Sequence, residues 1–167
     1  MIWTQSYNLG ITYKYLSLEI QKFAQKGLIF NQEKTAILTG RYHKSKYLAD
    51  KLNGKLFLPG GQVNFAEQPD TSFIREVREE TGITIIPLQP LYVWTWIYQK
   101  GKDKKQIFGL ARLGIYCRGK LNVKAKSESE LEISCPFWLP IDEIKLEEFV
   151  FDEQPVIKNI LAYRELL

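Results

Sequence analysis

Between residues 69 and 83 the apolar positions Phe73, Ile74, Val77 and Thr81 recur at three- and four-residue intervals, the spacing of one buried helical stripe. Pro69 stands where a first helical turn tolerates proline, and Asp70 follows near the positive end of the helix dipole. Gly82 closes the segment in a position suited to a left-handed residue. Elsewhere the apolar runs are short and strand-like. Gln21–Phe30 carries Phe23, Leu28 and Ile29, and Asn31-Gln32-Glu33-Lys34 supplies turn chemistry before a second strand at Thr35–Thr39. Lys55–Gly61 predicts a short strand running into a glycine loop. Ile85–Pro87 is followed by a long strand over Leu91–Gln99, where Trp94, Trp96 and Tyr98 alternate with Val93, Thr95 and Ile97. Gly101–Lys105 predicts a polar hairpin tip, and Ile107–Cys117 a return strand. Lys120–Lys126 and Phe137–Leu139 are further candidate strands. Pro140 is expected to open a short helix with Asp142 and Glu143 in its first turn. A last helix is expected from an Asp152 cap, with Pro155 in its first turn and a stripe of Val156, Ile157, Ile160, Leu161 and Leu166. Arg41–Asn53 is polar and basic and predicts a solvated loop.

Strands on both sides of one central helix, with a terminal helix after them, indicate an α+β sandwich in which helices hold a mixed sheet. The 167 residues suit one domain, residues 1–167, with residues 1–20 (Trp3, Tyr7, Tyr13, Tyr15) as an N-terminal extension packed on the core or on a second copy in a homodimer. Composition is that of an ordinary globular protein, 45% hydrophobic and 25% charged. The net charge of +4 is a mild excess that assists capture of polyphosphate anions without specifying a nucleic-acid surface. No segment has the length and apolarity of a membrane span, and the first residues lack a secretory pattern, so a cytoplasmic protein is expected. Cys117 and Cys135 form no metal-ligand pattern and read as reduced thiols; His43 stands alone, which leaves a histidine metal site or a Ser-His-Asp triad without support.

The polar side of the central helix is unfavourable as a stability feature. Glu79 and Glu80 lie in its last turn, where the dipole disfavours a carboxylate by roughly 0.3–1 kcal/mol each. Glu76 and Glu80 are a like-charge i,i+4 pair that costs about 0.2–0.5 kcal/mol more. Hard oxygen donors beside a glycine loop suit Mg²⁺ or Mn²⁺; a bare acidic face has solvation as its ordinary explanation.

The surrounding residues alter that balance. Gly61, then five residues, Glu67, then seven residues, and Arg75-Glu76-Val77-Arg78-Glu79-Glu80-Thr81-Gly82-Ile83 match at every fixed position the box of the Nudix hydrolases. At residue frequencies of about 5–7%, seven fixed positions coincide in roughly one window in 10⁸–10⁹, so the chain is identified as resembling that superfamily, MutT-like in kind. Two looser preferences differ: Asn64 stands where many relatives have Glu, and Ala66 where they have Gly.

The resemblance implies a Nudix α/β/α sandwich and a metal-dependent pyrophosphohydrolase using Mg²⁺ or Mn²⁺. It implies Glu76 and Glu80 as principal metal ligands, Glu79 as ligand or base, and the Gly61 carbonyl as a further ligand. Glu67 is expected to hold a water or brace the loop, and Arg75 to orient a neighbouring carboxylate. Some relatives take the base from a later loop, where Glu128, Glu130 and Glu132 are candidates and Glu132 the favoured one. Arg41 is a candidate rim residue for substrate phosphates, and Trp96 and Tyr98 for stacking on a nucleobase, against core packing as the usual role of an aromatic strand face. Trp96-Ile97-Tyr98-Gln99 lacks the proline associated with ADP-ribose, Tyr98 is early for the dinucleoside polyphosphate pattern, the NADH motif is absent, and the coenzyme A spacing fits poorly. A small-molecule substrate is therefore expected, a (d)NTP or modified nucleotide. ADP-ribose or dinucleoside polyphosphate hydrolysis, RNA 5′-end hydrolysis and non-catalytic nucleotide binding stand as alternatives. No membrane or nucleic-acid partner is expected.

Overall fold

The computed structural model describes residues 19–42, 52–100, 103–122 and 133–167. Among these described residues six strands and three α-helices follow one another as β1 (Glu19–Phe30), β2 (Ala36–Tyr42), β3 (Leu56–Phe57), α1 (Pro69–Thr81), β4 (Ile83–Lys100), β5 (Asp103–Gly119), β6 (Ile133–Pro140), α2 (Gln154–Lys158) and α3 (Ile160–Arg164). The sheet has the order β3-β2-β1-β5-β4, with β6 paired to β2. The β1–β5 pairing is parallel and the others antiparallel, so the sheet is mixed.

A split in this sheet positions the site. β1 and β2 are in register only at Phe30 and Ile37, next to a turn in which the Asn31 side-chain oxygen accepts the N–H groups of Thr35 and Ala36. Beyond that point the strands part. β2 takes β3 at Gly40–Phe57, and the vacated edge of β1 takes the glycine loop: Gly27 N–H donates to the Pro59 carbonyl at 2.8 Å and Gln25 N–H to the Gly61 carbonyl at 2.9 Å.

Two cores cover the two faces. Phe73 and Val77 of α1 pack with Ile29, Leu38, Ile83 and Ile85. Leu28, Phe30, Ile37 and Leu113 pack on the other face with Phe149, Val156, Ile157 and Ile160. The three layers are those of the expected α+β sandwich.

Several local expectations need correction. β2 continues through Tyr42, so Arg41 belongs to a strand and not to the start of a loop. Ile85–Pro87 and Leu91–Gln99 are parts of one eighteen-residue strand. Its prolines fall at register shifts between Pro87, Pro90 and Tyr92, and β4 is an edge strand, where a missing N–H breaks no ladder. β5 starts at Asp103 and β6 at Ile133, earlier than expected. Lys120–Asn122 form no strand, and residues 123–126 lie outside those described. The terminal helix is two short ones separated at Asn159, whose side-chain amide donates to the Pro155 carbonyl at 3.0 Å. Asp152 lies in a 3-10 turn, Phe151–Glu153, and caps nothing with its side chain. Leu161 and Leu166 are exposed, so the expected stripe ends at Ile160.

Candidate active site at the glycine loop and central helix

α1 starts and stops as its sequence requires. Pro69 occupies the first turn, and Gly82 has φ 80° and donates its N–H to the Arg78 carbonyl at 2.8 Å. With Phe73 and Val77 turned into the core, Arg75, Glu76, Glu79 and Glu80 are carried to the side of the glycine loop. That loop needs Gly60, which has φ 134° and whose missing Cβ would fall on the Gln25 carbonyl.

Arg75 is the hub of the acidic residues. Its Nε and Nη2 donate to the two Glu67 oxygens at 2.8 and 2.9 Å, a bidentate fork. Its Nη1 donates to Glu76 at 2.9 Å and to Glu79 at 3.0 Å. The fork, with the Asn64 N–H as a second donor, holds the Glu67 carboxyl down to about 2. Burial pushes the Glu76 carboxyl upward while Arg75 opposes it.

Glu80 turns the other way. Its Oε2 accepts the Gly60 N–H at 2.8 Å, and desolvation pushes its carboxyl up to about 7 against the pull of the nearby Lys26 ammonium. Lys26 of β1 donates to the Gly60 carbonyl at 3.0 Å. Desolvation works against its charge, yet Tyr42, Glu153, Glu80 and Glu76 together hold its ammonium above the ordinary lysine value. Glu153 is buried, accepts the Leu58 N–H at 2.7 Å, and is pushed by burial up to about 7.

The NUDIX domain family model matches residues 23–160, from β1 through the first residue of α3. This chain belongs to the Nudix family. It is similar to Nudix hydrolase 8 of Arabidopsis thaliana, 26% identical over 141 residues, which covers 84% of this chain and 33% of that protein. The chain thus spans about a third of the length of that curated relative. Among solved structures it resembles a MutT protein from Methanosarcina mazei Go1, with 19% identity, 87% of this chain and 96% of that one covered, and a TM-score of 0.59. It also resembles a UDP-X diphosphatase, with 17% identity, 90% and 68% covered, and a TM-score of 0.59. At these identities the structural likeness establishes the fold.

The Nudix box is thus laid out in two groups. Glu67, Glu76 and Glu79 meet on Arg75, whereas Glu80 is drawn to Gly60. Among the described residues no three Asp, Glu, His or Cys side chains are gathered closely enough to hold an ion as they stand. The donors nevertheless fit a hard divalent cation in kind. They are carboxylate and carbonyl oxygens, and the Glu76 carboxylate lies so close to the Gly61 Cα that a Cβ there would overlap it. The Gly61 carbonyl accepts one N–H, from Gln25, and keeps a second lone pair.

Of the candidate substrate residues, Arg41 donates to the Gly54 carbonyl at 2.7 Å and pairs with Glu148 at 3.2 Å, so its guanidinium braces the rim. Trp96 is half-buried and stacks on Trp94 at 5.9 Å and 19°, and Trp94 on Tyr92 at 6.0 Å and 19°. The rings of Trp94 and Trp96 lie over Gly109. Core packing and an open ladder therefore coexist: Trp94 packs on the large core, and Tyr92 is exposed. Tyr98 holds a register position opposite Lys105. Glu128, Glu130 and Glu132 lie outside the described residues.

Sequence reasoning missed Lys26, Glu153 and Arg112. Lys26 had a signal: a charge on the strand face that otherwise carries Ala24 and Leu28. Arg112, buried in β5, donates to Asp70 at 2.6 Å, to Gln25 at 3.2 Å and to the Leu88 carbonyl at 2.8 Å, and fixes the start of α1 to the sheet.

Proposed function

We propose that this Nudix chain hydrolyses the diphosphate bond of a nucleoside diphosphate-linked compound, a (d)NTP or modified nucleotide before others, with Mg²⁺ or Mn²⁺ as the activating ion. The observation that carries this reading is the complete box at one place: Glu67, Glu76 and Glu79 on one guanidinium, with Glu80 on the amide of the glycine loop. Bound there, a divalent cation would offset the charge that makes a diphosphate inert and lower the barrier to attack by water.

The chain's own residues supply the rest. Glu76, Glu80 and the Gly61 carbonyl are assigned to hold the ion. Glu79, which is exposed, is assigned to hold the ion or to accept the proton of the attacking water, with Glu132 as the alternative base. Arg75 orients Glu76 and Glu79, and Glu67 locks Arg75. Across the sheet Gln62 bridges Ala24, which is in register with Gly109 and through it with Trp94. Three strand spacings, roughly 14 Å, separate the loop from the aromatic ladder. That span suits a nucleobase on the ladder with its phosphates at the loop, with Trp96 and Tyr98 on the base side and Arg41 at the rim.

The MutT protein and the UDP-X diphosphatase resemble this chain to the same TM-score, so fold likeness favours neither substrate class. Phosphate release should be measured with and without Mg²⁺ or Mn²⁺ on canonical and oxidised (d)NTPs, ADP-ribose, UDP-linked sugars, diadenosine polyphosphates, NADH and coenzyme A. Metal-dependent cleavage of a (d)NTP is expected. Silence across the panel from a folded protein would replace hydrolysis by a nucleotide-binding role.

A further inference from the structure

The loop between β3 and α1 is held from behind by three charged side chains. Lys26 donates to the Gly60 carbonyl at 3.0 Å, Glu80 accepts the Gly60 N–H at 2.8 Å, and Glu153 accepts the Leu58 N–H at 2.7 Å. Two of the three lie outside the Nudix box and come from distant segments, β1 and the turn before α2. Their placement is not incidental to packing. Lys26 has Leu28 as its strand neighbour on the same face, with Phe57 beneath its ammonium at 5.5 Å to the ring centroid, and Glu153 is 4% exposed. A charge in such surroundings is costly unless something fixed answers it. What answers it here is the attraction of Lys26 to Glu153 and Glu80, together with fixed backbone: the Gly60 carbonyl for Lys26 and the Leu58 amide for Glu153.

We propose that Lys26 and Glu153 are positioning residues that lock the backbone of the glycine loop, and thereby set the direction of the Gly61 carbonyl relative to Glu76 and Glu80. This rests on the reading that the box holds a divalent cation. The peptide carrying the Gly60 carbonyl leads directly into Gly61. A free rotation there would turn the Gly61 carbonyl as well and loosen its bond to the Gln25 N–H. Each clamp residue acts through backbone and touches none of the reacting atoms.

The test is Mn²⁺ binding, by calorimetry and by electron paramagnetic resonance, to the whole chain and to Lys26→Met, Lys26→Arg and Glu153→Gln, with folding checked by thermal melting. Positioning predicts that Lys26→Met weakens Mn²⁺ about tenfold, and that kcat for whichever compound wild type cleaves falls at least as far while KM moves less than threefold. Lys26→Arg and Glu153→Gln, which keep a donor and an acceptor, should restore Mn²⁺ affinity to within about threefold. Tighter Mn²⁺ binding by Lys26→Met would overturn the proposal, since loss of a cation near carboxylates acts that way by charge alone. Unchanged binding in folded Lys26→Met would overturn it too. Should Lys26→Met fail to fold, amide hydrogen exchange decides. Slow exchange at Leu58 and Gly60 in wild type and in Glu153→Gln sustains the clamp, and exchange at the rate of an open loop rejects it. A wild type that cleaves nothing, or binds no Mn²⁺, would end the reading of hydrolysis or of the metal, and the exchange measurement would still judge the clamp.

Discussion

Replacing Gly61 with alanine separates the chemistry of this site from its stability. The backbone at Gly61 is not left-handed, so alanine can adopt it, but the added methyl would stand 2.5 Å from Cδ of Glu76 where ordinary contact begins at 3.4 Å. The carboxylate must retreat by about 1 Å, and a displacement of that size in a catalytic array costs on the order of 100-fold in rate, about 2.7 kcal/mol of transition-state stabilisation. The fold should hardly notice. Glu76 ends in a flexible side chain, its bond to Arg75 belongs to a partly exposed pair worth roughly 0.2–1 kcal/mol, and the change from glycine restricts the unfolded chain by about 0.4–1 kcal/mol in the opposite sense. Melting should therefore stay within about 4 °C of wild type. Gly27→Ala is the control: its methyl would meet Ile29 at 2.7 Å and Phe73 at 2.8 Å in the core, with an overpacking cost of about 1–3 kcal/mol and no contact with Glu76. Calorimetric melting, Mn²⁺ titration and kcat/KM on the compound identified by the panel read the two variants. A Gly61→Ala protein with Mn²⁺ affinity and kcat/KM within threefold of wild type would refute the reasoning.

Four further outcomes are expected. Ala66 sits at φ 61°, a conformation that strains a non-glycine residue by about 1–2 kcal/mol; Ala66→Gly should gain about 0.5–1 kcal/mol in a urea titration after the added unfolded-state entropy is subtracted. Arg112→Met should lower stability by about 2 kcal/mol through the unanswered Leu88 carbonyl and the buried Gln25 Oε1, because the exposed Asp70 can return to water; an unshifted urea midpoint would refute this. Glu67 has its carboxyl depressed from 4.5 to about 2, so its contribution to stability is complete above about pH 4.5 and is lost as pH falls toward 2. The difference in melting temperature between wild type and Glu67→Gln should accordingly shrink over that window and stay level above it. Glu80→Gln keeps an acceptor for the Gly60 N–H and should fold normally while losing metal-dependent turnover; an active variant with normal metal dependence would remove Glu80 from the ligand set.

How far the sequence could be read depended on the range of the interaction. α1 was legible because its determinants are local: a proline at one end, a glycine at the other and a stripe between them. The box was legible because it is contiguous. The run through Pro87 and Pro90 was misread because a proline's effect depends on whether its strand is an edge, which no local window contains. The terminal helix was misread for a different reason: the Asn159 side chain takes the Pro155 carbonyl one turn back, a competition that the apolar stripe does not reveal. Lys26 and Glu153 stand 127 residues apart and come together only at the backbone of the glycine loop, on Gly60 and Leu58.

That meeting also accounts for the feature that looked like poor design. Two glutamates in the last turn of a helix oppose its dipole, and Glu76 and Glu80 oppose each other. In the folded chain the penalties are shared by two cations, one on α1 and one on β1. Arg75 takes Glu76 and Glu79 together with Glu67, and Lys26 takes the field of Glu80 across the Gly60 peptide. The division has a chemical consequence. Arg75 is bound to three carboxylates and half-exposed, so it can yield one of them to an entering cation and keep the others. Lys26 is fixed to a carbonyl and has no such freedom. One cation is therefore suited to exchange and the other to anchoring, and substitutions should follow that line. Loss of Arg75 should alter how the carboxylates respond to Mn²⁺, and loss of Lys26 should alter where the loop that faces them stands.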